Sequence, residues 1–144
     1  MKDLGPEPLG DEFTGDYLWR KSRGRRVAVK QFIMNAGIVV GVGNIYASES
    51  LFIARINPKR SAGRIALPRY VALADAIRSV LQRAILAGGT TLRDYYGGGG
   101  EAGWFQQELD VYGREDEPCH ICDRPITAIV QGQRATYYCK DCQT

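Results

Sequence analysis

The sequence lacks any long hydrophobic run. No apolar stretch approaches the roughly 18 residues that a membrane-spanning helix requires. The first residues, Met1-Lys-Asp-Leu-Gly-Pro6, contain no apolar segment typical of a secretory signal. With 144 residues, 44% of them hydrophobic, the chain is suited to one or two folded domains rather than to a disordered segment. We therefore expect a cytoplasmic protein without membrane contact.

Acidic residues are missing from the segment 17–48. Its basic residues are Arg20, Lys21, Arg23, Arg25, Arg26 and Lys30. The net charge of +3 is small, so this clustering is more informative than the total. A concentrated basic segment is typical of a surface that contacts a phosphate backbone. A solvated helix face has the same pattern, and charge alone leaves both interpretations open.

Apolar spacing and capping residues predict four helices. They are a short helix capped by Asp11 or Thr14 and ending near Ser22, and helices over residues 25–35, 44–54 and 68–87. Asn44 is expected to cap the third helix. The fourth has an apolar stripe of Val71, Ala74, Ile77, Leu81 and Ile85.

Two segments after the helices differ in character. Residues 97–103 are mostly glycine, which predicts a flexible loop. Residues 127–130 and 134–138 alternate between apolar and polar with Gly132 between them, which predicts a β-hairpin.

Four cysteines flank this hairpin in two Cys-x-x-Cys pairs: Cys119, Cys122, Cys139 and Cys142. The hairpin would bring the pairs together, and four thiolates form the closed tetrahedral site that structural zinc prefers. Two disulfides are disfavoured in a cytosolic chain, and two pairs do not match a thioredoxin-type redox motif. We predict one structural Zn²⁺, with His120 outside the ligand set.

Two further features permit phosphate contact. The run from Gly41 to Tyr46 lacks the third glycine of a dinucleotide motif, but it is suited to a turn whose following helix start presents free backbone amides. Two helices joined by such a turn are also typical of helix-turn-helix DNA-binding proteins. Arg134 lies at the hairpin tip, where it is either a nucleic-acid contact or a solvated surface residue.

Several motifs occur in one order along the chain: Leu4-Gly-Pro-Glu-Pro-Leu9, Ala28-Val-Lys-Gln31, Val40-Gly-Val-Gly-Asn-Ile-Tyr-Ala-Ser-Glu49, Gly88-Gly-Thr-Thr-Leu-Arg-Asp94, Gly103-Trp-Phe-Gln-Gln-Glu-Leu109 and Val111-Tyr-Gly-Arg114. Together with the four cysteines they make the chain resemble the formamidopyrimidine-DNA glycosylase family over almost its whole length. The resemblance implies a mostly α fold, in which a helix-two-turn-helix DNA-binding domain is followed by a small zinc-binding β-hairpin finger. It implies a linker at 1–10, the helical domain at 11–114 and the finger at 115–144.

Enzymes of this family remove oxidised purines, such as 8-oxoguanine and formamidopyrimidines, from duplex DNA and then cleave the abasic strand. Their nucleophile is the secondary amine of an N-terminal proline, assisted by the adjacent glutamate. Pro6-Glu7 does not match that pair, because Gly5 acylates the Pro6 nitrogen. We therefore expect no catalytic residue in this chain, inactivity when it is alone, and a partner in the family's N-terminal catalytic domain.

The resemblance also implies DNA-contacting residues. Asn44 and Arg134 match residues that hold phosphates of the damaged strand, Lys30 matches a lysine near the damaged nucleotide, and Tyr112 matches a further phosphate contact. A loop expected to close over the flipped base comprises Tyr96, Gly97, Gly98, Gly99, Gly100, Glu101, Ala102 and Gly103. Glu101 departs from the family, since many members have a lysine in the corresponding Lys-Pro-Gly.

The expected partner is double-stranded DNA with oxidised or abasic lesions, bound by a monomer in a bacterial-type cytoplasm at the nucleoid. Two other functions fit the same residues: a stand-alone DNA-binding protein without catalysis, and a zinc-stabilised protein-interaction module. The first binds abasic DNA and leaves it intact, whereas the second has no salt-dependent DNA affinity.

Overall fold

The computed structural model describes residues 4–88 and 109–144, which form four α-helices and a two-stranded antiparallel hairpin. The helices are α1 Gly15–Ser22, α2 Val29–Met34, α3 Asn44–Ala54 and α4 Leu67–Gly88, with a 3-10 turn at Ala62–Arg64. The strands are β1 Thr127–Gln131 and β2 Arg134–Tyr138. This arrangement confirms the predicted mostly helical fold with a hairpin after the helices. The predicted loop at 96–103 lies outside the described residues.

Helix α1 starts where Thr14 caps it. The Thr14 hydroxyl accepts a 3.0 Å hydrogen bond from the Tyr17 amide, which satisfies one of the free amides of the first turn. Of the two predicted caps, the structure therefore selects Thr14 over Asp11. The helix ends at Ser22, as predicted.

Helix α2 is shorter than the predicted 25–35, because it begins only at Val29. The residues before it are extended and pair with residues 60–63. The Val29 amide donates to the Arg60 carbonyl (2.7 Å), the Ala62 amide to Val27 (2.8 Å) and the Gly63 amide to Arg25 (2.9 Å). Backbone groups committed to that ladder cannot also close helical turns.

Helix α3 begins at Asn44, but the prediction that the Asn44 side chain caps it is wrong. Gly43 occupies the cap position, and no side chain bonds to the helix amides there. The Asn44 side chain is engaged elsewhere, with Lys30 and the hairpin. Gly41 permits the preceding turn through its positive φ of 84°.

Helix α4 packs against α1 and α3 and contributes Ala74, Ile77 and Leu81 to the main core. Val71, predicted in the same stripe, is 45% exposed instead. Helix α1 contacts α4 at Val71, where a Cβ on Gly15 would come within 2.4 Å of the Val71 Cα and 2.7 Å of its Cγ2. None of the described helices has both the length and the apolar composition needed to cross a bilayer.

The predicted hairpin is present, and Gly132 lies in its two-residue turn. Gln131 pairs with Arg134, and both turn residues, Gly132 and Gln133, have positive φ (55° and 69°), which matches the right-handed twist of the strands. A second, smaller core lies beneath the hairpin. It consists of Phe52, Val111, Cys119, Ile126 and Cys139. Phe52 belongs to α3, so the finger and the helices share packed residues.

Candidate functional site

The four cysteines lie together at the base of the hairpin. The Cys119 and Cys142 sulfurs are 3.9 Å apart, those of Cys122 and Cys139 are 3.5 Å apart, and all four lie within 4.8 Å of one another. Thiolates about 2.3 Å from a shared tetrahedral ion would be separated by about 3.8 Å. The separations therefore fit one tetrahedral metal ion, and the cluster is positioned to bind it.

The chemistry of the donor set also suits zinc. Burial raises the pKa of Cys119, but neighbouring amides and thiols outweigh it and bring that pKa to about 7. Burial and the neighbouring thiols raise the pKa of Cys142 to about 12. A bound cation would favour the thiolate form of all four and cross-link the two Cys-x-x-Cys turns. His120 is not part of the cluster, since its Nδ1 lies 2.8 Å from the Asp110 carboxylate.

A second group of side chains meets where α3 begins. Lys30 is only 1% exposed, and its ammonium donates a 2.5 Å hydrogen bond to Asn44 Oδ1. Asn44 Nδ2 donates to the Ala135 carbonyl on β2 (2.9 Å) and makes a longer contact with the Tyr112 hydroxyl (3.4 Å). Asn44 therefore connects α2, the segment at residue 112 and the hairpin.

Arg134 adds a charge to this group. It precedes Ala135 at the start of β2 and its side chain is exposed. Burial, and secondly the Arg134 guanidinium, lower the pKa of Lys30 to about 8. The structure thus brings together Lys30, Asn44, Tyr112 and Arg134, the four residues for which the sequence predicts DNA contact. Their roles in binding stay predictions.

Glu49, which the sequence reasoning did not single out, holds Tyr112 in place. Its fully buried carboxylate accepts hydrogen bonds from the amides of Asp110 (2.7 Å), Val111 (2.9 Å) and Tyr112 (2.9 Å). Burial raises the pKa of Glu49, and the three amide donors oppose that shift. The sequence does contain an indication of a special role for Glu49, because it is the single acidic residue in the segment 17–74.

Glutamine side chains fasten the finger to the helices. Gln143 Oε1 accepts from the Cys139 amide (2.8 Å), and its Nε2 donates to the Ile56 carbonyl (2.9 Å). Gln131 donates to the Pro58 carbonyl (3.1 Å). No periodicity or spacing in the sequence indicates these contacts. These glutamine hydrogen bonds hold the finger, which carries Arg134, against the helices, which carry Asn44.

The charge around the site is strongly asymmetric. Segment 17–74 contains eleven basic residues and one acidic residue, Glu49, which is buried. Acidic side chains lie nearer the finger instead: Glu117 pairs with Arg114, Asp141 with Arg124, and Asp110 lies beside the His120 ring. The surface formed by the helical segment is therefore suited to a polyanion. The predicted loop residues from Tyr96 to Gly103 lie outside the described part of the chain.

Two family models match this chain. Residues 4–95 match the formamidopyrimidine-DNA glycosylase H2TH domain, and residues 116–144 match the zinc finger found in FPG and IleRS. The first match alone covers more than half of the chain. The second covers all four cysteines.

Known proteins are similar over almost the whole chain. The formamidopyrimidine-DNA glycosylase of Alcanivorax borkumensis is 58% identical over 143 residues, which cover 99% of this chain and 53% of that protein. The MutM (Fpg) protein of Thermus thermophilus superposes with a TM-score of 0.84 at 37% identity, over 99% of this chain and 54% of that one. The Lactococcus lactis Fpg in complex with abasic-site DNA has a TM-score of 0.86 at 34% identity, over 99% and 52%. The chain spans about half the length of the relatives that it matches.

Proposed function

We propose, on the premise that this chain belongs to the formamidopyrimidine-DNA glycosylase family through its H2TH domain, that it holds the phosphate backbone of damaged duplex DNA. The main support is the convergence of Lys30, Asn44, Tyr112 and Arg134 where α3 begins. Cations beside a helix start are suited to binding anions.

We infer that a phosphate binds between the start of α3 and the Arg134 side chain. Gly43 is exposed, and a Cβ built on it meets nothing within 4 Å, so the backbone there is open to close approach. The first amides of a helix have no partner within the helix and carry its positive dipole end. The exposed Arg134 can supply a bidentate guanidinium to the same phosphate.

Lys30 contributes from below this position. The buried Lys30 amine is positively charged below its pKa of about 8, and its bond to Asn44 Oδ1 orients the Asn44 amide. Charges in a poorly solvated position act more strongly on an anion than charges in water do. Lys30 therefore strengthens the site without being a flexible surface contact.

The lesion and the chemistry are part of the proposal. The Lactococcus lactis relative is in complex with abasic-site DNA, and we infer the same class of partner here, with oxidised purines as the damaged bases. Glycosylase and lyase chemistry is not assigned to any residue of this chain, because Pro6, acylated by Gly5, does not match the family's N-terminal proline amine. The loop at 96–103 is proposed to cover the flipped base.

We also propose the domain organisation, oligomeric state and location of the protein. The domains are a linker at 1–10, a helical domain at 11–114 and a finger at 115–144. The protein is a monomer in the cytoplasm, at a bacterial-type nucleoid. In the proposed complex, the helical segment and the finger of one chain contact the same DNA. Asn44, whose side chain bonds to Ala135, is at that boundary.

The test uses an end-labelled duplex with a single abasic-site analogue. The chain is incubated with it, and one sample is analysed by gel shift and by borohydride trapping. We expect a shifted complex without cleavage and without a trapped adduct. A trapped adduct would show that an amine of this chain acts as a nucleophile. It would contradict the expectation that the chain contains no catalytic residue.

Absence of a gel shift would overturn the DNA-binding role. That result would favour the alternative function, a zinc-stabilised protein-interaction module. An undamaged duplex of the same sequence is the control for lesion preference. Equal affinity for both duplexes would restrict the function to phosphate binding without recognition of damage.

A further inference from the structure

A cleft separate from the Arg134 site is lined by arginines that the proposed function does not use. It has a volume of about 520 Å³ and is bounded by Gly24, Arg25, Arg26, Ser61, Gly63 and Arg64. None of these residues is acidic. The two walls come from the extended residues before α2 and from the 3-10 turn before α4.

The walls are held rigidly by backbone pairing. The Gly63 amide donates to the Arg25 carbonyl at 2.9 Å, and the Ser61 hydroxyl to the Arg26 carbonyl at 3.3 Å. A Cβ on Gly63 would lie 2.7 Å from the Arg25 carbonyl oxygen, so only glycine permits this approach. On the other wall, Gly24 has a φ of 80° and open space around it. The cleft is therefore built into the backbone.

The arginines of the cleft are not neutralised within the protein. In residues 4–88 and 109–144, no hydrogen bond or ion pair involves the side chain of Arg26 or Arg64. The Arg25 guanidinium lies 5.8 Å from the centre of the Phe32 ring, and its Nε donates to the Lys21 carbonyl at 3.0 Å. Three guanidinium groups around one cleft repel each other, and an anion would relieve that repulsion.

We propose that this cleft is a second phosphate site, occupied by a backbone phosphate of the same DNA that contacts Arg134. This inference rests on the proposed function. Arg26 is four residues before Lys30, so their Cα atoms are at most roughly 14 Å apart. Successive phosphates of one strand rise only about 3.4 Å along the duplex axis. The Arg26 wall of the cleft is therefore at most about four phosphate spacings from Lys30, which is close enough for one duplex to contact both sites.

Guanidinium groups bind carboxylates as well as phosphates, but three arginines around one cleft favour a ligand with more oxygens than a single carboxylate has. Guanidinium groups bind phosphate oxygens through paired N–H donors, and several of them can share one phosphate or two neighbouring ones. A strand of DNA offers a row of phosphates, whereas a single carboxylate offers only two oxygens. The site would extend the DNA contact and add affinity without reading sequence.

The test compares two double variants with the same loss of charge. Arg26→Ala with Arg64→Ala removes two arginines of the cleft, and Arg124→Ala with Lys140→Ala removes two exposed cations of the finger. Binding to a labelled duplex is measured by fluorescence anisotropy across a salt series. Each phosphate contact contributes about 0.9 to the slope of log affinity against log salt. We expect the cleft variant to lower that slope by about 1 to 2, and the finger variant to leave it nearly unchanged.

A direct measurement identifies the ligand. The amide resonances of Gly24 and Gly63 are followed by NMR during titration with the duplex, and separately with inorganic phosphate. Shifts with DNA that are lost in the cleft variant support the inference. Shifts with inorganic phosphate alone, or equal slopes for both double variants, would overturn it while leaving the proposed function intact. Absence of DNA binding by the unaltered chain would overturn the proposed function, and this inference with it.

Discussion

The carboxylate of Glu49 accepts a 2.9 Å hydrogen bond from the backbone amide of Tyr112, although 63 residues separate them in the sequence. Two more amides, of Asp110 and Val111, donate to the same carboxylate. This arrangement fixes the backbone on which Tyr112 is placed. The Tyr112 ring then packs edge-on against Tyr137, with centroids 4.9 Å apart, and its hydroxyl faces Asn44. A buried structural residue thus determines the position of a residue proposed to contact DNA.

Glu49→Gln is expected to destabilise the protein and weaken DNA binding together. The new NH₂ group would face at least one backbone N–H, leaving a buried donor unsatisfied at a cost of about 1–3 kcal/mol. Chemical unfolding measures the first effect, and anisotropy with an abasic duplex measures the second. Glu12→Gln, at an exposed position, is the matched control. A Glu49→Gln protein with unchanged stability and affinity would show that the three hydrogen bonds do not position Tyr112.

Features that depend on neighbouring residues could be predicted from the sequence. The hairpin follows from alternation on both sides of Gly132, and the metal cluster follows from cysteine spacing on either side of that hairpin. The first cap, Thr14, and the end of α1 are likewise local signals. In each case the residues that determine the structure are close together in the chain.

Features that depend on distant partners could not be predicted. Helix α2 starts late because residues 25–29 pair with residues 60–63, which no periodicity indicates. Asn44 fails to cap α3 because Lys30 and Ala135 take its side-chain groups. The contact of Gln143 with Ile56 spans 87 residues. The resemblance to the family identified Lys30, Asn44, Tyr112 and Arg134 as a group, but only the structure gives the hydrogen bonds that connect them.

Cys139→Ser is expected to release zinc and unfold the finger while the helices persist. Structural zinc contributes about 10–16 kcal/mol of folding free energy in isolated finger peptides, far more than the small core beneath the hairpin can replace. The main core of the helices contains no cysteine. Metal content per chain and far-ultraviolet circular dichroism measure the two effects. Lys140→Ser, one residue away and exposed, is the control. Full retention of zinc by Cys139→Ser would contradict the four-thiolate assignment.

Arg134→Ala is expected to weaken DNA binding and to lower the salt slope by about one phosphate contact. Arg134 is exposed at the hairpin turn, so its removal should leave the fold intact. Arg124→Ala removes an equally charged, 69% exposed residue of the same finger and controls for net charge. If both variants show the same affinity and slope, Arg134 makes no specific phosphate contact.

DNA affinity is expected to fall as the pH rises through about 8, because burial and the charge of Arg134 lower the pKa of Lys30 to that value. Below this pH the ammonium attracts the phosphate, and above it the amine is neutral. An anion bound nearby favours the charged form, so the complex should take up a proton near pH 8. Anisotropy titrations at constant ionic strength from pH 7 to 9 measure the effect.

Lys30→Met should bind DNA more weakly at pH 7 and lose this pH dependence, since no ammonium remains beside Asn44. Lys59→Met, which removes an exposed lysine, should retain it. Zinc content and circular dichroism verify that both variants are folded. If the DNA affinity of Lys30→Met still declines near pH 8, another group takes up the proton. If the affinity of the unaltered protein does not change with pH, the Lys30 charge does not contribute to DNA binding.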